Sequence, residues 1–329
     1  MENPLKNQII IDGLQYCNWN RELMKDALNG GLTAIHATLV YWENTQESLK
    51  KFDEWEELIS NNSDIICHAK TCKDILEAKK NNKVAIIFGF QNSAPIANDI
   101  FLLEKFFSKG LRFMQLTYNN QTALAGGCYE SNDSGVSRFG YAVIEEMNRL
   151  GMIIDLSHAG KKTCIDAIMF SKKPVAISHA NPIFFHKSIR NIDDEVLKLL
   201  SKHDGFIGLS LYPFHLKNNS ACKLEDFCNM IIELVNLIGI DHIGIGSDLC
   251  KNWGDEVVMW MRNGKWTKQI DYGESTSKES SWPEQPRWFT KGSDFINIYN
   301  GLIKSGMKEE NIFKILGSNW LKFMKKNFG

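Results

Sequence analysis

No apolar run in this sequence approaches the length of a membrane span, so neither a spanning helix nor a membrane partner is expected. Charge of one sign is also lacking. Lys and Arg number 38 against 39 Asp and Glu, and a net charge of -1 gives no electrostatic pull toward nucleic acid or an anionic surface. The basic run Lys322–Lys326 is accounted for by a solvated helix face near the C-terminus. No CxxC pair exists among the eight cysteines, and the nearest neighbours are Cys67 with Cys72 and Cys222 with Cys228. Such scatter favours buried free thiols in a reducing compartment over disulfides or a structural zinc site. The first residues carry neither a long apolar segment nor a small-residue cleavage site, and a cytoplasmic location is the expectation. Short repeats, low-complexity tracts and flexible linkers are missing as well.

What the chain does contain is the balance of an ordinary globular protein, 43% hydrophobic and 23% charged residues over a length of 329. Brief, continuously apolar, β-prone runs alternate with longer helical patterns. The expected strands are Ile9–Asp12, Leu32–Val40, Val84–Phe90, Arg112–Thr117, Met152–Leu156, Pro174–Ser178, Phe206–Leu211 and His242–Ser247. Runs of this kind suit parallel strands covered on both faces. Between them, Ser137 is placed to cap a helix that Gly151 stops, and a stretch beginning Asp193-Asp-Glu and ending at Lys202 complements a helix dipole. Leu224–Leu237 is a third amphipathic segment. Eight strands with intervening helices predict a closed (β/α)8 barrel, an α/β fold, rather than a doubly wound sheet.

Residues 251–292 break this rhythm. They hold Trp253, Trp260, Trp266, Trp282 and Trp288, with Pro283 and Pro286. So many aromatic residues argue against disorder. The expectation is a partly helical lid over the barrel mouth within one barrel domain spanning 1–329, with a dimer contact as the rival reading. Its tryptophans hint at an apolar or cationic group in the substrate, because a cation can rest against an aromatic face.

Functional residues of a barrel gather at the C-terminal ends of its strands. Here those ends supply Asp12 to Cys17, His36, Gln91, Tyr118, His158, His179 and Asp248. A single strand-end histidine is more often a hydrogen-bonded structural residue than a ligand. The pairs Ser157-His158 and Ser178-His179, joined by Ser247-Asp248, together suit a zinc ion and a carboxylate that activates its water. Serine catalysis by Ser157 or Ser178 is disfavoured, since neither lies in a Gly-x-Ser-x-Gly elbow and strand neighbours point to opposite faces.

In order, these segments resemble the membrane (renal) dipeptidase family of metallopeptidases. The resemblance rests on Phe139 through His158, Pro174-Val-Ala-Ile-Ser-His179, Arg190-Asn191, His242-Ile-Gly-Ile-Gly-Ser-Asp248 and Ile315-Leu-Gly-Ser-Asn-Trp320, and it covers nearly the whole chain. It implies an amidohydrolase-like barrel holding two zinc ions that hydrolyses dipeptides. His158 and His179 match ligands of one zinc. Asp248 matches the aspartate that handles the water proton, and Arg190 the arginine that binds the substrate carboxylate.

The remaining half departs from the family pattern. Where the family carries Asp-Gly-His-x-Asp, this chain has Asp12-Gly-Leu-Gln-Tyr16, so Leu14 and Tyr16 replace two ligands. Gln91 stands for the bridging glutamate, and Tyr118 for a substrate-polarising histidine. Three readings stay open. The first is a hydrolase with one zinc on His158 and His179, completed by Gln91 or Asp248 and water. Cys17 or His36 is a conceivable substitute ligand, although a small buried residue and an inward barrel-layer histidine are the plainer expectations. The second is a metal-free descendant that binds a small carboxylate through Arg190, with the aromatic lid and Asn119-Asn120-Gln121 forming the pocket; in either reading Arg190, Tyr118 and Asn119 are the expected substrate-binding residues. The third is dipeptidase activity retained with an unconventional metal pair. The expected substrate is a dipeptide or similar small molecule, and the resemblance points to a homodimer.

Overall fold

Ten short strands, all parallel, form the sheet: β1 Ile11–Cys17, β2 Ala34–Val40, β3 Ile66–His68, β4 Val84–Phe90, β5 Leu111–Gln115, β6 Ile153–Asp155, β7 Ala176–Ala180, β8 Phe206–Leu209, β9 Ile243–Ile245 and β10 Leu249–Lys251. The structure is a computed structural model and describes residues 3–263 and 281–329. Eight strands close a ring in the order β1-β2-β4-β5-β6-β7-β8-β9, with Asp12 opposite Ile245 at the seam. Helices surround the ring, giving the (β/α)8 barrel that the alternating pattern predicts.

All eight expected segments carry a ring strand, and two strands lie outside that set. Strand β3 pairs with the first half of β4, below the point where β5 joins the same edge at Phe88 and Leu111. Strand β10 likewise shares an edge of β1 with β9, pairing Gln15 with Leu249 and Cys17 with Lys251. Each is three residues long, too short to show a period. The first strand also runs further than expected. Residues placed beyond its end lie inside β1, and its register against β2 shifts between Asp12 and Gln15.

Local signals explain the helix ends. The Ser137 hydroxyl accepts the Gly140 N–H at 2.9 Å, and Gly151 ends that helix, Arg138–Leu150, with φ 84°, a left-handed conformation natural to glycine. Helix Asp194–Lys202 starts acidic and ends basic. No helix among the described residues is long and apolar enough to cross a membrane. All eight cysteines are free, and five of them are buried.

The barrel floor is sealed by Trp320, which is fully buried and donates its indole N–H to the Ile245 carbonyl at 2.8 Å. Its ring needs glycine above it. A Cβ on Gly13 would lie 2.3 Å from a ring carbon, and one on Gly244 2.6 Å from the indole nitrogen. The described part of the 251–292 segment packs on the opposite end. Trp253 stacks on Tyr16 with centroids 4.8 Å apart, and the Met261 carbonyl in helix Asp255–Asn263 accepts the Trp42 indole N–H at 2.9 Å. Trp288 lies apart from this cluster, against Phe227, with its N–H on the Cys222 carbonyl. Trp266 falls outside the described residues.

Candidate active site

Strands β6 and β7 share a single backbone register pair, Asp155 with Ala176, and the Asp155 carboxylate binds them beyond it. It accepts the Ser157 N–H (3.1 Å) and hydroxyl (2.6 Å), the Ser178 N–H (2.9 Å) and hydroxyl (2.5 Å), and the Gln115 amide (3.1 Å). Five donors on one buried carboxylate fix where the following histidines leave their strands. This also settles the serine alternative. In a catalytic triad the imidazole lies between acid and hydroxyl. Here Ser178 lies between Asp155 and His179, so its proton is already committed.

The same bonds fix the tautomers. His179 Nδ1 is 2.8 Å from Ser178 Oγ, which donates to Asp155 and therefore accepts from the ring. His158 Nδ1 is 2.6 Å from Asn119 Oδ1, an acceptor. With both protons on Nδ1, the two Nε2 atoms carry lone pairs, and they lie 3.0 Å apart. Burial, then the nearby Arg190 guanidinium, holds both imidazoles well below their usual pKa. A shared proton is thus disfavoured at neutral pH. A metal cation is the group these nitrogens suit, since bonds of about 2.0–2.1 Å from one ion reach both.

Arg190 is fully buried, and its guanidinium donates to the Ser157 and His179 carbonyls, the latter at 3.4 Å. Asn119 adopts φ 56° and turns its side chain behind His158. Asp248 has φ 54°, receives no more than slight exposure, and donates its N–H to the Leu14 carbonyl. Burial raises the pKa values of Tyr41 and Cys17, and the Asp248 charge adds to the shift. Left-handed backbone at two non-glycine strand-end residues is the kind of strain that functional sites store.

Opposite the histidines, side chains fill the space. Tyr16 meets Tyr41 edge-on at 4.6 Å, Tyr41 meets Tyr118 at 4.9 Å, and Tyr118 covers His158 at 4.2 Å. Gln91 spends its amide N–H groups on Thr38 Oγ1 (2.8 Å) and the Tyr41 hydroxyl (2.9 Å), leaving only its oxygen for a ligand. Burial, and then the Glu43 charge, raises the pKa of Tyr16 far above the usual phenol range, and burial does the same for Tyr41. Both phenols are thus neutral at ordinary pH and poor ligands for a metal cation. Among the described residues no three His, Cys, Asp or Glu side chains converge as a metal cage. Two zinc ions therefore do not fit these donors, whereas one ion on the two Nε2 atoms does, with the Gln91 oxygen and groups from outside the chain left to complete it.

Both substitute ligands match the plainer expectation. Cys17 is buried, points its thiol at the Leu249 carbonyl 3.2 Å away, and has its pKa raised by burial. His36 stacks on Phe113 inside the barrel, with Nδ1 2.6 Å from the Gly13 carbonyl and its pKa lowered by burial to about 4.

One histidine escaped the sequence reading. His215 follows β8, is buried, and lies close enough to add to the lowering of the His158 and His179 pKa values that burial and Arg190 dominate. Ser210 Oγ lies 2.8 Å from its Nδ1, repeating the serine–histidine support with five residues between the partners instead of one. That spacing hid the pattern.

A sequence profile of the membrane dipeptidases, peptidase family M19, matches residues 17–257. The chain belongs to the membrane dipeptidase family. Among dipeptidases, an uncharacterised one from Schizosaccharomyces pombe is 29% identical over 210 residues, 62% of this chain and 50% of the relative. The dipeptidase tcpJ of Claviceps purpurea is 24% identical over 290 residues, 87% of this chain and 61% of the relative. The chain thus spans less than two thirds of either relative. An amidohydrolase from Pseudomonas aeruginosa superimposes with a TM-score of 0.93 and 34% identity, covering 99% of this chain and 98% of that one. A metallopeptidase from Rhodobacter sphaeroides, solved with a phosphinate mimic of L-Ala-D-Ala, shares the fold at a TM-score of 0.80 and 16% identity, over 97% and 99% of the chains.

Proposed function

We propose that this member of the dipeptidase family is a hydrolase of dipeptides or similar small carboxylate-bearing amides that uses one zinc ion rather than two. The observation that carries the reading is the pair of bare Nε2 atoms, His158 and His179, facing each other at 3.0 Å. When bound, the ion supplies Lewis acidity to a scissile carbonyl and acidity to a water molecule. Asn119 and Ser178 hold the ligand tautomers. Asp248 takes up the water proton and passes it to the leaving amine. Arg190 contributes the positive charge toward which a substrate carboxylate is drawn, Tyr118 shields the histidines from solvent, and the Gln91 oxygen is a further ligand position. A cytoplasmic homodimer is the setting that goes with this reading, supported by eight free thiols and the family likeness.

Elemental analysis of zinc-loaded, dialysed protein tests it. One zinc per chain, lost in His158→Ala and His179→Ala, is the expected result, together with dipeptide turnover that collapses in Asp248→Asn. A second reading, a metal-free binder of small carboxylates, draws support from the tyrosines that fill the other half-site. No retained zinc and no turnover, with Arg190-dependent carboxylate binding, would establish it instead.

A further inference from the structure

Beside the tyrosines, and outside the histidine pair, lies a cavity of about 430 Å³. Five aromatic side chains form its walls: Tyr16 from β1, Trp19 just beyond it, Trp55 from helix Thr45–Asn61, and Trp253 and Trp260 from the segment after β10. All five rings are held by aromatic neighbours. Tyr16 stacks on Trp253, and Trp19 meets Trp55 edge-on at 6.1 Å. Trp260 meets Tyr41 at 6.0 Å. A preformed aromatic wall of this kind attracts cations through the negative ring faces.

The charged lining has the matching sign. Glu43, Glu54 and Glu256 face a single lysine, Lys51, whose ammonium is bound to Glu54 at 2.8 Å. Glu43 is the decisive group. One carboxylate oxygen accepts the Tyr41 and Trp42 N–H groups at 2.7 and 3.1 Å. Burial raises the pKa of this carboxyl above its ordinary value, against the pull of the backbone N–H groups and of Lys51. Among the described residues the chain's own cations lie over Phe52, Phe107 and Phe328, and none over a ring of this cavity.

We propose that this cavity is a binding site for a small organic ammonium compound, its cationic head against Tyr16, Trp253 and Trp260 and paired with Glu43. Its size exceeds that of an alkylammonium head and leaves room for a short polar tail. The site does not depend on a metal, so it stands or falls apart from the hydrolase reading.

The test uses the full chain stripped of metal, in about 0.15 M salt so that long-range surface attraction is screened. Choline and its uncharged isostere 3,3-dimethylbutan-1-ol are titrated separately, followed by calorimetry and by tryptophan fluorescence. Saturable choline binding is expected, with the isostere weaker by about tenfold, the order of a desolvated cation–aromatic contact. Glu43→Gln, which keeps an acceptor for the two N–H groups, should weaken choline by about tenfold and leave the isostere unchanged. Trp253→Leu should remove choline binding, with the melting temperature reporting that each variant is folded. Equal affinity for the two probes would overturn the proposal in favour of a plain apolar pocket. Absence of saturable binding by either probe would overturn it outright, as would choline affinity indifferent to Glu43.

Discussion

His158 and His179 meet nitrogen to nitrogen, 3.0 Å apart, while the opposite nitrogen of each ring is tied to an acceptor on its own side. The partners behind the rings therefore decide what the front can hold. Behind His158 stands an amide, and behind His179 a hydroxyl already spent on Asp155.

Asn119→Ala removes the acceptor that keeps the His158 proton on Nδ1. Zinc affinity should fall about 10–100-fold, the usual cost of losing a partner that orients a metal-bound histidine. Competition with a chromophoric chelator measures this directly. Unchanged affinity would mean that Asn119 does not set the tautomer.

Restoring the missing donors gives the converse experiment. The triple variant Leu14→His, Tyr16→Asp and Gln91→Glu should bind two zinc ions per chain by elemental analysis, and turn over dipeptides faster than its parent. Removing the Tyr16 ring also unpacks Tyr41 and Trp253, so a stability loss of about 3 kcal/mol is expected in thermal denaturation. Zinc stoichiometry unchanged from the parent would show that ring filling, more than donor loss, closed the second site.

Asp12 predicts a pH effect on stability. It is fully buried and accepts the Ser247 N–H and hydroxyl at 2.7 and 2.5 Å, closing the barrel seam. Burial outweighs these bonds and raises its pKa from 3.8 to about 6. Below 3.8 both folded and unfolded states hold the proton. Between 3.8 and about 6 the unfolded chain releases it first, so stability falls with rising pH and then levels. The drop from this group is about 3 kcal/mol. Urea denaturation from pH 4 to 7 should show this component in the parent and lack it in Asp12→Asn.

Trp320→Ala should cost about 3–5 kcal/mol, because it empties the barrel floor and removes a buried hydrogen bond. Thermal unfolding reads the loss, and Trp320→Phe should recover part of it. A change below 1 kcal/mol, roughly the scale of a surface substitution, would contradict the sealing role.

Much of this protein is written locally. Apolar runs covered on both faces located every ring strand, and Ser137 with Gly151 marked a helix at both ends. Leu14, Tyr16 and Gln91 stand where the resemblance places metal ligands, and their identities are read from the sequence directly. Chemical identity suffices there, because leucine has no lone pair in any conformation.

Contacts between distant residues were decided by the tertiary structure alone. Asn119 reaches His158 across 39 positions, and Trp253 covers Tyr16 across the barrel seam. His215 joins the histidines from a short 3-10 turn, Pro213–His215, whose spacing carries no period. The three-residue strands β3 and β10 exist because a neighbouring edge offers unpaired backbone at that place. By itself the sequence determined the barrel and which ligand types survive. Only folding brought the remaining nitrogens face to face and filled the other half with tyrosine rings, because hydrogen-bond direction and ring packing are properties of neighbours in space rather than along the chain.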